Sequence, residues 1–285
     1  MQRLRITHLT EYRFNSPVTL LPHRLLLRPR EGHDVHIETS KLEIAPAHTV
    51  KWHRDVFDNS VAVVSFLAPA ARLTIASEVV LQHYEEAPLD FLVEDYAVNY
   101  PFLYQPEERA DLMPFQQPAY PNDQKAVRDW LRELGFGPGP GETYAMLDRL
   151  NRAIGATFTY VVREEKGVQP PAQTLRERRG SCRDYTALFI EACRDLGLAS
   201  RFVSGYSHSA ASESANAVTH AWAEVYLPGP GWKGFDPTSG ELTGSHHIPV
   251  AVARHPEAVP PVAGSFVGPA GSLPALIVNV QVTAL

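Results

Sequence analysis

The chain has little cysteine, no long apolar run and no surplus of basic residues, and each shortage removes a class of function. Only 2 cysteines occur in 285 residues, Cys182 and Cys193. If both lie on one helix, their 11-residue separation amounts to about 16 Å of axial rise. They cannot bridge each other, so a disulfide framework is excluded, and a thiolate-rich zinc site with it. No stretch approaches the roughly 18 apolar residues of a membrane span. The first residues, MQRLRITHLTEYRF, alternate in polarity and lack the apolar core of a signal peptide. A soluble cytoplasmic protein without membrane association is therefore expected. Lys+Arg number 26 against 32 Asp+Glu, for a net charge of -6, and apart from the short cluster Arg176, Arg178, Arg179 the basic residues are scattered. That distribution disfavours a nucleic-acid partner. None of the 12 histidines stands in an HExxH arrangement, and the adjacent His246 and His247 point differently in any regular element. No run resembles the DxDxDG calcium loop. Neither a metal nor another cofactor is expected.

What is present is a 44% hydrophobic content, enough for a sizeable core, over a length that suggests two domains. Residues 1–87 carry short β-type segments (RLRITHLTEYRF, VTLLPHRLLLRPR, HIETSKLEI, VKWHRDVF, VAVVSFLAP, ARLTIASEVVLQHY) separated by turn signals such as Asn-Ser-Pro and Asp-Asn-Ser, the pattern of a β-sandwich or barrel. Residues 88–121, rich in proline and aromatics (YPFLY, MPFQQPAYP), show neither helix nor strand period and predict an ordered connection at a domain boundary.

From residue 122 to 285 the period changes. DQKAVRDWLRELG places Val127, Trp130, Leu131 and Leu134 on one face behind Asn122 or Asp123, ending at Gly135, and predicts an amphipathic helix. A second helix is predicted near Glu142, then a strand over ATFTYVVRE. A third, GSCRDYTALFIEACRDLGL, spaces Tyr185, Leu188, Phe189, Ala192 and Leu196 at helical intervals and closes at Gly197. Strands are predicted over RFVSGY, THAWAEVYL and GWKGFDP, with a small-residue loop (SHSAASESANAV) and a Pro228-Gly229-Pro230-Gly231 turn between them. A last strand, ALIVNVQVTA, could return to the N-terminal domain. Helices first and an antiparallel sheet second make an α+β domain.

Three side chains carry candidate chemistry. Cys182 opens the third helix, where backbone N–H groups lack intrahelical partners and the helix field favours an anion. A thiolate is the nucleophilic form of cysteine, and the same N–H groups can bind the oxyanion of a tetrahedral intermediate. Cys193, in the helix interior, fits a small buried hydrophobe. Alternation puts His220, Trp222, Glu224 and Tyr226 on one face of THAWAEVYL and Ala221, Ala223, Val225 and Leu227 on the core face. Asp236 ends GWKGFDP. If Leu227 pairs with Trp232, Asp236 falls opposite Ala223, three residues from His220 and on the wrong face, so a bulge or shifted turn is required. Spacing alone leaves Glu224 as a competing carboxylate.

GSCRDYTALFIEACRDLGLASRFVSGY followed by THAWAEVYLPGPGWKGFDPTSG resembles the core of the bacterial transglutaminase-like family, with Gly-x-Cys-x-Asp, Leu-Gly-Leu, Arg-Phe-Val-Ser-Gly-Tyr, His-Ala-Trp and Asp-Pro-Thr in order. The residues before 85 resemble the β-rich N-terminal domain that accompanies it, and IPVAVARHPEAVPPVAGSFVG resembles the segment that follows. The resemblance implies a papain-like fold and a Cys182–His220–Asp236 triad, deciding for Asp236 over Glu224. It also implies a thioester formed on a peptide or protein amide and resolved by water or an amine, with hydrolysis preferred. Tyr160 is a further candidate donor to the oxyanion, against its reading as a core tyrosine. Two other readings compete: a transglutaminase-like binding or assembly protein without chemistry, and a thioester-dependent N-acyltransferase.

Overall fold

The computed structural model describes residues 1–84, 89–137, 139–163, 165–208 and 219–285. Six strands lead: β1 (Gln2–Leu20), β2 (His23–Leu25), β3 (Val35–Ala45), β4 (His48–Arg54), β5 (Ser60–Phe66) and β6 (Ala70–His83). Then come β7 (Asn99–Tyr100), α1 (Pro106–Gln116), α2 (Gln124–Glu133), β8 (Gly141–Glu142), α3 (Thr143–Thr157), β9 (Thr159–Tyr160), α4 (Pro171–Glu177), β10 (Arg179–Gly180) and α5 (Cys182–Asp195). The chain continues with β11 (Ser200–Ser207), β12 (Thr219–Leu227), β13 (Gly231–Asp236), β14 (Glu241–Leu242), β15 (His247–Ala253), β16 (Val262–Ala263), β17 (Phe266–Val267) and β18 (Ala275–Ala284). This is the expected α+β class, with a β-rich N-terminal region.

In that region β18, β1, β6 and β3 form one antiparallel sheet, with β17 on the end of β1, while β16, β2, β5 and β4 form another. Phe14, Val18, Leu25, Ala62, Val64 and Ile75 make a common buried cluster between them. Strand β1 runs through the Asn15-Ser16-Pro17 turn signal, because the break there is absorbed as a register shift between Arg13 and Val18. Pro17 has no N–H to give the ladder, so the interruption falls where a donor is missing. The C-terminal strand β18 pairs with β1 from Leu4↔Ala284 to Arg13↔Ala275.

The connection expected over 88–121 contains a helix that its composition does not announce. It holds the helix α1, entered at Pro106 and containing Pro114, with Leu112 its one buried residue. A helix with so little buried surface has no apolar period to reveal it. The boundary at residues 87–88 lies outside the described residues, as does 209–218, most of the small-residue loop. No helix among the described residues is long and apolar enough to cross a membrane.

The second sheet has the order β14-β13-β12-β11-β15. Helix α5 covers it, with Phe189 stacked on Phe235 at 5.6 Å between ring centroids. Ala221, Ala223, Val225 and Leu227 are buried beneath the helices, as alternation requires. The other side of the sheet meets the N-terminal region. There Trp222 packs with Val203, Val252 and Phe57. The buried Asn59 side chain both donates to the Val252 carbonyl and accepts from its N–H, each at 2.8 Å, closing the free edge of β15. Gly205 makes this packing possible: a Cβ there would lie 2.5 Å from the Trp222 ring and 2.3 Å from the Ile248 carbonyl oxygen.

Helices α2, α3 and α5 lie where periodicity puts them. Asp123 precedes α2 without capping it, and its carboxylate accepts from the Ala172 N–H instead, at 3.0 Å. Glu142 caps α3 through the N–H groups of Tyr144 and Ala145. The strand predicted over ATFTYVVRE shrinks to Thr159–Tyr160, paired in parallel with Arg179–Gly180.

Candidate active site

Cys182 is the first residue of α5, and its place is fixed by the residues on either side. The N–H and hydroxyl of Ser181 both donate to Oδ2 of Asp184 at 2.8 Å. Oδ1 of Asp184 accepts from the Gln169 N–H and from Arg163 Nη1, both at 2.7 Å. A fully buried carboxylate thus ties the helix start to the segment that follows β9. The thiol projects where the N–H groups of the first turn have no partner four residues back.

His220 enters from β12, and the turn after that strand decides which carboxylate it meets. The register is Leu227↔Gly231 through Ala223↔Phe235, one residue tighter than Leu227 against Trp232. This shifted turn moves Asp236 next to Trp222 rather than Ala223, two residues from His220 and on its face. Nε2 of His220 then lies 2.8 Å from Oδ2 of Asp236. That leaves Nδ1 as the free ring nitrogen, and Cys182 is among the groups that favour the protonated ring. Glu224 shares the face but accepts from Arg201 Nε at 2.6 Å across the ladder, so it braces two strands.

Tyr160 is half-exposed, at 45% of its free surface, which removes its reading as a core residue. Cys182 is among the groups that act on its hydroxyl. Its edge packs on Tyr185, with centroids 6.2 Å apart. Cys193 is fully enclosed, and burial pushes its thiol pKa up. Both cysteines are free.

A residue that sequence reasoning passed over joins this group. Nε2 of His247, the first residue of β15, lies 3.2 Å from the same Oδ2 of Asp236, and its ring stands edge-on to Trp222 at 5.2 Å. Adjacent histidines offer no convergent spacing, and only the pairing of Ser207 with His247 brings β15 to the site. The ligand atoms of His220, Asp236 and His247 all lie within 4.8 Å of one another, close enough to hold a metal ion. Yet the Gly244 N–H points at Nδ1 of His247 from 3.4 Å, making Nδ1 the acceptor and Nε2–H a donor. The ring is thus set to give a hydrogen bond to Asp236 rather than a lone pair to a metal.

Burial alone would lower the His220 pKa. The hydrogen bonds and negative charge of Asp236 and Cys182 outweigh it and raise it to about 10. Burial also opposes ionisation of Asp236, but hydrogen bonds from His220 and His247 hold its carboxyl well below the usual carboxylate range. The Tyr160 hydroxyl is pushed up by burial first and then by the negative charges of Cys182 and Asp236.

These shifts set a stability window. His220 holds its proton more tightly folded than unfolded, so its contribution is complete below its ordinary value of 6.5 and is lost as pH rises towards about 10. For Asp236 the contribution is complete above its ordinary value of 3.8 and is lost as pH falls below it. Urea midpoints should therefore decline from about pH 6.5 upward, and Asp236→Asn should flatten that decline. An unchanged slope in the variant would show that the pair is not the source.

Residues 4–82 match the bacterial transglutaminase-like N-terminal region, and residues 135–237 match the transglutaminase-like superfamily. An uncharacterized protein of Mycobacterium tuberculosis is 29% identical over 288 residues, covering 92% of this chain and 87% of its own length. One from Mycobacterium leprae is 24% identical over 273 residues, covering 94% of both. The solved structure of a Cytophaga hutchinsonii protein described as a candidate cysteine protease shares the fold, with a TM-score of 0.75 at 18% identity, covering 100% of this chain and 91% of that one. Matched in both its β-rich first part and its helix-and-sheet core, the chain belongs to the bacterial transglutaminase-like family.

Proposed function

We propose that this protein is a thiol-dependent amide hydrolase acting on peptide or protein amides, with Cys182 as nucleophile, His220 as acid and base and Asp236 as its orienting carboxylate. The observation that carries the reading is the His220 ring held through Nε2 by the buried Asp236 carboxylate, with the Cys182 thiol at a helix start among the groups that help it keep its proton. The Cys182 thiolate attacks the carbonyl carbon, and the charge moves to oxygen. First-turn N–H groups and the Tyr160 hydroxyl are donors at hand for that oxyanion. The tetrahedral intermediate collapses as the C–N bond breaks, and Nδ1 of His220 gives its proton to the leaving amine. A thioester remains on Cys182. Water then attacks it, losing a proton to His220, and the carboxylic acid leaves as the C–S bond breaks and the thiolate–imidazolium pair is restored. Asp236 stays ionised throughout, holding the ring with Nδ1 towards sulfur. Neither a metal nor a nucleic acid is required by these steps.

The test is a panel of peptide esters and amides followed by intact mass and peptide mapping. Wild type should accumulate an acyl adduct on Cys182 that hydroxylamine removes, whereas Cys182→Ala should form none. Turnover that persists in Cys182→Ala, or an adduct mapped to another residue, would sink the assignment.

A further inference from the structure

We infer that His247 is a positioning residue for the proposed reaction: as a hydrogen-bond donor it shares Oδ2 of Asp236 with His220 and holds that carboxylate ionised and aimed at the catalytic ring. The inference rests on the hydrolase reading of the site. Its geometry comes from four contacts. The Gly244 N–H points at Nδ1 of His247, which makes Nε2, 3.2 Å from Oδ2, the donating nitrogen. The Thr238 N–H donates to Oδ1 at 2.9 Å, and His220 takes Oδ2 from the other side at 2.8 Å. Both oxygens are thus occupied and the carboxylate plane is fixed. Trp222, edge-on to His247 and 6.2 Å from the His220 ring, fills the space beneath both imidazoles. The backbone beneath the ring is tied to the same residue, the main-chain N–H of His247 donating to the Gly244 carbonyl at 2.9 Å.

A donor on an ionised carboxylate favours the ionised form. When His220 gives its proton to the leaving amine, Asp236 loses its cationic neighbour and is left as a buried anion. The His247 N–H stays on Oδ2 through that step and keeps Asp236 from drawing the proton back. The other ionisable groups lining the cleft beside His247 are His33, Asp34, Glu224 and Lys233. Of these, Glu224 is taken up by Arg201.

The experiment has two parts. Long-range 1H–15N NMR on the wild type should show the His247 ring with Nδ1 unprotonated and a hydrogen-bonded proton on Nε2. Then the pH profile of iodoacetamide labelling at Cys182 is compared in wild type, His247→Leu, His247→Gln, Asp236→Asn and the His247→Leu/Asp236→Asn double variant. His247→Leu should move the acid limb up by about one pH unit, a roughly tenfold slower reaction at the acid end. His247→Gln, whose amide can still donate, should restore most of it. In the Asp236→Asn background His247→Leu should add nothing further, because its effect runs through Asp236. A protonated Nδ1 in the wild type, or an equal shift with and without Asp236, would overturn the role. If Cys182 in the wild type labels like an ordinary thiol, the hydrolase reading fails. The NMR tautomer and the His220 ring titration in these variants then decide the His247 contact by themselves.

Discussion

Iodoacetamide labelling of Cys182 at pH 6 should slow by one to two orders of magnitude when His220 is replaced by Ala. A free thiol with an ordinary pKa near 8.5 is about 0.3% thiolate at that pH. A thiolate held against an imidazolium can approach full population, roughly 300-fold more, and part of that gain is returned because a stabilised thiolate is a weaker nucleophile. The net advantage is on the order of 10- to 100-fold, and it rests on a His220 ring that stays protonated well above pH 6, its pKa being raised to about 10. With Ala in its place, the helix start still favours the anion, but the paired cation is gone. Cys193, buried and with its pKa pushed up, should not label in the folded chain, so Cys193→Ala should match the wild type. Mass mapping of the adduct decides the matter. A Cys182 rate at pH 6 that is the same with and without His220 would remove the ion pair from the mechanism.

Much of this site could be seen in the sequence, because its parts are announced by local rules. A small polar residue before an apolar helix placed Cys182, period-2 alternation gave the face of His220, and the interior position of Cys193 marked it as packing. What could not be seen depended on register and on distant strands. The three-residue Pro228-Gly229-Pro230 connection sets Leu227 against Gly231, and a shift of one residue is the whole difference between Asp236 facing His220 and facing away. His247 arrives through the pairing of β15 with β11, for which adjacent residues give no hint. Tyr160 lies beside the helix start because a two-residue parallel pair sets it against Gly180. Helix α1 escaped because it buries almost nothing but Leu112. The two parts of the chain also share more than their sequence suggests, since Leu4, Ile6 and Leu81 from the N-terminal sheet lie in one buried cluster with Phe189 and Tyr206.

The largest loss of stability from a single side chain near the site should come from Asp184→Ala, about 3–5 kcal/mol. The carboxylate is fully buried and receives four hydrogen bonds, from Ser181 N–H, Ser181 Oγ, Gln169 N–H and Arg163 Nη1. Removing it orphans three enclosed donors and leaves Arg163, whose side chain is only 17% exposed, without its buried counter-charge. Asp184→Asn fits the space but must turn its NH2 towards one of those donors, so it should recover only part of the loss. Arg152 and Asp148 provide the contrast: they pair at 2.8 Å on α3 with side chains 67% and 26% exposed, and Asp148→Ala should cost less than about 0.5 kcal/mol. Urea unfolding of the three variants measures the difference. If Asp184→Ala costs no more than Asp148→Ala, the buried carboxylate does not hold the helix start. If the large cost appears, Arg163→Ala in the Asp184→Ala background should return some of it, because the double variant buries no unpaired charge. Cys182 is two residues from Asp184 and takes its position from the turn this carboxylate closes. The same variant should therefore slow Cys182 labelling even where the chain remains folded, linking the stability of the helix start to the aim of the proposed nucleophile.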